Sequence, residues 1–166
     1  IRFYSSVLPN LYKFVLKQSH EFATEALNEH QRTLRMRGRP KIVLARSYEE
    51  AMHLYNRYQQ HVLGVITDAR YPREGITDPM AGIKLMAEIR KKDPFVPLIL
   101  QSSEVENEMY CSRYDASFVD KNSKKMNVDL RDIVSYNFGF GDFIFRNPHT
   151  LEEVARVRNL KELQNI

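Results

Sequence analysis

Apolar residues at the start of the chain recur at helical spacing. Phe3, Val7, Leu11, Val15, Phe22, Ala26 and Leu34 mark one face between residues 2 and 36, with no glycine among them. The pattern predicts one long helix, kinked or restarted at Pro9 and ended by Gly38 and Pro40. At ~1.5 Å per residue it would reach ~45–50 Å, more than a compact domain of this size covers, so part of it is expected to project or to pack on a second copy.

From residue 41 short apolar runs alternate with helical patterns. KIVLA (41–45) reads as a strand, and Ser47 with Glu50 gives a capping-box signature for a helix that buries Ala51, Leu54 and Tyr58. VLGVIT (62–67) is a strand ending at Asp68, followed by a Pro-, Gly- and Asp-rich loop over 69–81. Ile83, Leu85, Met86 and Ile89 mark a helix closed by Asp93 and Pro94. VPLIL (96–100) runs into Gln101, Ser102 and Ser103, and a short helix follows over 104–113. ASFV (116–119) ends at Asp120 and Lys121, and Val128, Leu130, Ile133 and Val134 mark the next helix. Such alternation predicts an α/β fold, a parallel sheet with helices on both faces. The tail is aromatic and glycine-rich through Phe138, Phe140, Phe143 and Phe145, residues expected to pack rather than bind a ligand. It turns at Asn147, Pro148 and His149, so that 153–157 pairs back as a hairpin, and Asn159 caps a last helix. Three parts result: 1–40, 41–136 and 137–166.

Composition narrows the class. Of 166 residues 43% are hydrophobic and 28% charged, which is globular rather than disordered composition. No apolar stretch approaches the ~20 residues of a membrane span, and the start lacks the basic-then-apolar order of a signal peptide. The one cysteine, Cys111, excludes intramolecular disulfides and zinc-finger sets and reads as a small buried hydrophobe. A reducing cytoplasm is the expected location, and Ile at position 1 reads as a piece of a longer chain. His20, His30, His53, His61 and His149 show no metal-ligand spacing. Residues 1–41 carry eight basic and three acidic side chains, the remainder seventeen and eighteen. The basic run Arg32, Arg35, Arg37, Arg39, Lys41 would suit phosphates or an acidic partner, but no groove-reading motif accompanies it. A solvated helix end is the simpler reading, and neither nucleic acid nor membrane is an expected partner.

Ligands of open parallel sheets sit beyond the carboxyl ends of the strands. Here those ends carry Asp68, Ser102 and Lys121. A carboxylate can attack phosphorus to form an acyl phosphate. The phosphoryl oxygens then need cations and hydrogen-bond donors, which Lys121 and Ser102 would supply. A hard cation, Mg²⁺, would be held by carboxylates and a backbone carbonyl. Each residue also has a plainer reading: Asp68 in a turn, Ser102 as a helix cap, Lys121 as a surface cation beside Asp120.

VITD at 65–68, Pro72, AGIKLMAEIR, VPLILQSS and ASFVDK together resemble a two-component receiver domain over about residues 41–136, a flavodoxin-like fold. The resemblance implies that Asp68 is the phosphoacceptor, that Ser102 and Lys121 contact the phosphoryl group, that Phe118 is the aromatic switch, and that the carbonyl of Arg70 is a metal ligand. It implies Mg²⁺ as cofactor, a histidine kinase or phosphotransfer protein as partner, and a regulatory rather than an enzymatic role. Nearly the whole chain, through RFYSSVLP, LRMRGRPKIVLA, SYEEA, LGVITDARYP, LQSSE, FVDKNS and FGFGDFIFR, is similar to an atypical receiver of bacterial proteins related to phosphoenolpyruvate synthase and pyruvate phosphate dikinase. A nucleotide- or pyruvate-handling enzyme would then be a neighbouring module, since this chain has neither a Gly-rich phosphate loop nor a metal-ligand histidine cluster.

The chain departs from the receiver pattern in four ways. The opening strand and its acidic pair are missing, which leaves strand edges without partners. The segment between Pro72 and Gly82 is longer, with Glu74 and Asp78 as substitute metal ligands or solvated charges. Asn122 stands where a proline is usual, and the first helix is too long. Two other readings remain. One is an unphosphorylated pseudo-receiver that dimerises through the first helix, with Phe3, Leu11, Val15 and Phe22 as its seam. The other is a phosphatase using Asp68, disfavoured because Arg70 stands where a second acid would serve as general acid.

Overall fold

Ser47 sets where the first helix of the α/β region begins. Its hydroxyl accepts the N–H of Glu50 (3.2 Å), while the Glu50 carboxylate accepts the N–H of Arg46 (2.6 Å), so the capping box closes one residue further back than its usual form. The computed structural model describes residues 8–24, 41–137, 143–147, 150 and 152–157. In chain order they form α1 (Leu8–Thr24), α2 (Tyr48–Tyr58), β1 (Val65–Asp68), β2 (Tyr71–Arg73), β3 (Ile76–Asp78), α3 (Ala81–Lys92), β4 (Leu98–Ser102), α4 (Glu108–Tyr114), β5 (Ser117–Asp120), α5 (Met126–Asn137), β6 (Phe143–Arg146) and β7 (Glu153–Val157). The chain divides into two compact units, Val43–Leu130 and Ile1–Ile42 with Arg131–Ile166. No helix among the described residues is long and apolar enough to cross a membrane.

The larger unit is built on a three-stranded parallel sheet in the order β1-β4-β5. Asp68 lies opposite Gln101, and Ser102 opposite Asp120. Side chains alternate between faces along each strand. Leu98 and Leu100 face a core of Tyr55, Ile83, Leu85, Met86, Ile89, Val96 and Cys111, supplied by α2, α3 and α4 and the segment before β4. Ile99, Gln101 and Val119 alternate with them and are at most 2% exposed, so the other face is covered too. Burial pushes the Cys111 thiol up to about 11, as expected for a packing residue rather than a reactive one.

Arg90 ties the bottom of this unit together. Its guanidinium donates to the carbonyls of Tyr114 (2.8 Å), Val96 (3.0 Å), Asp93 (3.3 Å) and Asp115 (2.9 Å). One fork thereby satisfies the ends of α3 and α4 and the entry to β4. Asp115 closes α4 in the left-handed region (φ 49°).

Two expectations need correction. KIVLA (41–45) is not a strand: these residues have no regular structure, and Val43 and Leu44 are 59% and 41% exposed. In a 2-1-3-4-5 sheet the second strand pairs only with the first. Among the described residues no strand lies on the outer side of β1, so 41–45 has nothing to bond to. The stretch 69–81 is not simply a loop. It contains the antiparallel hairpin β2-β3, joined by Glu74 and Gly75, both with positive φ (55° and 77°), the two-residue turn that matches strand twist. Glu49 of α2 accepts the Glu74 N–H (2.9 Å) and holds the turn down; this bond lowers the Glu49 pKa.

The strands elsewhere begin and end later than the apolar runs suggest, while α3 ends at Lys92, just before Asp93, and α5 contains its four marker residues. In the smaller unit β6 and β7 form the expected antiparallel hairpin, with a register shift at Phe145 and Arg146. Pro9 is the second described residue of α1, and the kink or restart expected there lies at the limit of the described residues. Leu11 and Val15 are 7% and 5% exposed within the single chain. Phe3, the rest of the long helix, most of the basic run and the last helix lie outside the described residues.

Gln101 is the anomaly of the core. It is 2% exposed, and its Nε2 has no hydrogen-bond partner among the described residues. A buried unsatisfied amide costs about 1–3 kcal/mol. Gln101→Met, similar in volume, is therefore expected to raise stability in urea unfolding by about 1 kcal/mol. A loss would show that the amide is satisfied.

Candidate functional site

Strands β1 and β5 are not neighbours, because β4 lies between them. At about 4.8 Å per strand spacing their ends stand about 10 Å apart. Lys121, immediately after β5, has the reach to span that gap, and its Nζ pairs with Asp68 Oδ2 at the end of β1. Its backbone N–H donates to the Ser102 carbonyl (2.9 Å) at the end of β4. One residue thus touches both other strand ends. Asp68 remains 41% exposed along its side chain and Lys121 30%, so a ligand can reach the pair. The second Asp68 oxygen has no partner among the described residues.

Ser102 sits beside the pair but its hydroxyl is engaged elsewhere. It is 3% exposed and accepts hydrogen bonds from the Glu104 N–H (3.0 Å) and from Asn107 Nδ2 (2.9 Å). No hydrogen bond joins it to Asp68. Ser102 does not cap the helices that follow, whose N-caps are Glu104 and Asn107; its oxygen closes a turn with Glu104 and accepts from Asn107. Phe118 is partly buried and packs against the core, opposite Leu100, as a core residue would.

The backbone at Asp68 is held from below by α3. Gly82 N–H donates to the Ala69 carbonyl (3.0 Å), and Ala69 N–H to the Gln101 carbonyl (3.0 Å). A Cβ on Gly82 would lie 1.9 Å from the Asp68 carbonyl oxygen, so only glycine permits this approach. Thr67 Oγ1 donates to that same carbonyl (3.0 Å) and lies 3.3 Å from the Tyr71 hydroxyl. Burial pushes the Tyr71 phenol up to about 12, so it stays protonated.

Around the rim, Arg70 pairs with Glu104 (2.9 Å), both side chains more than half exposed, a contact worth under about 1 kcal/mol. Asn122 works differently from a proline. Its N–H donates to Asp120 Oδ1 (2.8 Å) and its Nδ2 to the Ser103 carbonyl (2.9 Å), which staples the loop after β5 to the loop after β4. The peptide before it is trans.

Glu74 and Asp78 do not join Asp68. Asp78 accepts from Lys84 (2.7 Å) and the Met80 N–H (2.8 Å), and these bonds hold its carboxyl below the usual range. Glu74 is largely exposed, beside Arg73 (3.4 Å). Among the described residues no group of three His, Cys, Asp or Glu side chains comes together. Mg²⁺ wants six oxygens in a strict octahedron. Among the described residues the candidate ligands are the Asp68 carboxylate, already paired with Lys121, and the Arg70 carbonyl that the resemblance implies, which would leave the other positions to water and phosphoryl oxygens. No chemical step here runs through a metal.

Asp68, Lys121 and Ser102 were legible from the strand ends. Asn107 and the Arg70–Glu104 pair were not, because neither has a sequence signature. Gly82 has one in principle: a glycine in the first turn of a helix, where glycine is disfavoured, marks a close approach. Gly82→Ala is expected to cost about 2–3 kcal/mol and to move the backbone amide signals of Asp68 and Ala69 in an NMR spectrum. An unchanged melt and spectrum would contradict that close approach. Compared with known proteins, the chain matches no family model, no curated protein and no solved structure.

Proposed function

We propose that the chain is a phosphoacceptor module of the receiver kind, taking a phosphoryl group on Asp68 and passing the change to a neighbouring domain or partner. The observation that carries this is the Asp68–Lys121 pair at the carboxyl edge of the parallel sheet. Lys121 engages Oδ2 only, which leaves the other oxygen to attack phosphorus. In the transfer an O–P bond forms at Asp68 while the P–N bond of a phosphohistidine donor breaks. The departing imidazole keeps the electron pair and takes a proton from solvent. The ammonium then faces the negative charge on the phosphoryl oxygens.

A histidine kinase or phosphotransfer protein is the donor in this reading, in the cytoplasm, and the module is regulatory rather than an enzyme. Phosphorylation would draw the Ser102 hydroxyl proton toward the phosphoryl group and shift Phe118, a population shift between two arrangements. Mg²⁺ is the expected assisting ion, held by the Asp68 carboxylate and the Arg70 carbonyl without the family's acidic pair. The second reading is a pseudo-receiver that is never phosphorylated and acts as an interaction module, favoured by a Ser102 oxygen that is bonded to Glu104 and Asn107 and not to Asp68.

Treatment of the full-length natural chain with acetyl phosphate and Mg²⁺, followed by intact-mass or Phos-tag analysis, separates the two. The receiver reading expects one added phosphoryl group that disappears in Asp68→Asn. No Asp68-dependent modification would leave the pseudo-receiver.

A further inference from the structure

A hydroxyl oxygen has two lone pairs and one proton. Both lone pairs of Ser102 Oγ are filled, one by the Glu104 N–H and one by Asn107 Nδ2. The proton is then the only hydrogen-bonding capacity left, and it can only be donated. We propose that Asn107 is a positioning residue that fixes Ser102 as a hydrogen-bond donor for a phosphoryl oxygen on Asp68. This rests on the phosphoacceptor reading and adds to it the residue that sets the polarity of its hydroxyl.

Helix capping alone does not account for Asn107. The Glu104 N–H is bound by Ser102 in a side-chain turn and is satisfied without Asn107, and the Asn107 side chain makes no cap bond to α4. Asn107 is itself 6% exposed, so its carboxamide has given up water to reach back five residues to Ser102. Such burial is costly unless the bond is made. The turn Val105–Asn107 provides the reversal that brings the side chain there. On the other side, the Ser102 carbonyl is held by the Lys121 N–H and the Ser103 carbonyl by Asn122. The serine is gripped through its backbone by the loop that carries the lysine, and through its oxygen by Asn107. What is left for it to give is a proton, at a strand end whose backbone carbonyl is held by Lys121, the residue that pairs with Asp68.

Asn107→Asp tests this with almost no change in volume. An ionised carboxylate has nothing to donate, so the Ser102 proton turns to it and is lost to the phosphoryl group. A hydrogen bond to a charged group implies a fall of ~10-fold or more in the fraction of chains carrying phosphate at steady state with acetyl phosphate. Ser102→Ala should show the same loss, and Asn107→Asp should add nothing to it in the double variant, which a general structural defect would not reproduce. Asn107→Ala, which frees the proton rather than capturing it, should lose less and guards against misfolding of the aspartate variant. If wild type is labelled and Asn107→Asp and Asn107→Ala are labelled equally well, the inference is overturned and the receiver reading stands. If wild type is not labelled at Asp68, both fall.

Discussion

A carboxylate and an ammonium from strands that are not adjacent meet at the edge of this sheet, and the site is organised around that meeting. The parallel register puts Asp68 opposite Gln101 and Ser102 opposite Asp120. It thereby ends three strands on nearly the same line. Only a long side chain can bridge from the third strand to the first across the second. Lys121 does so, while its backbone holds Ser102. If the register slipped by one residue, every side chain would change face and the pair would be lost.

The rest of the larger unit supports that line of strand ends. Gly82 lets α3 press its first turn against the Asp68 carbonyl. Arg90, at the opposite end of α3, ties the helix to the start of β4 and the end of α4. The helix is fixed at both ends, so the Asp68 backbone has little room to move. Mobility, if the site switches, is left to the segment 102–104. Its grips are an exposed ion pair at Glu104, the Asn107 carboxamide and the Glu104 N–H on the Ser102 oxygen, the Lys121 N–H on the Ser102 carbonyl and one bond from Asn122.

The alternation of apolar strands and amphipathic helices was plain in the sequence, and so were the polar residues at the strand ends. What failed did so for identifiable reasons. KIVLA has the composition of a strand, but a strand exists only with a partner, and partnership is not a local property. The β2-β3 hairpin was hidden because its turn is Glu-Gly rather than the more familiar Asn-Gly, and because both of its strands have only three residues. Asn107 falls within the short helix expected over 104–113 and carries no motif of its own. Its role depends on a reversal of the chain that no periodicity records. Ser102 had two readings from sequence, cap and phosphoryl donor. The structure shows no helix cap by Ser102: its oxygen closes a turn with Glu104 and accepts from Asn107, and those bonds leave the proton that the second reading requires.

The nearness of Asp68 and Lys121 is the most direct thing to measure. A carbodiimide joins a carboxylate to an amine only where the two already touch, as an amide with loss of one water. Peptide mapping of the treated chain is expected to find Asp68 joined to Lys121, and none of that product in Lys121→Arg. The Asp78–Lys84 pair, 2.7 Å apart on the same unit, serves as the internal control. Linkage at Asp78–Lys84 without linkage at Asp68–Lys121 would show that the strand ends do not share a site, and the account would fail at its base.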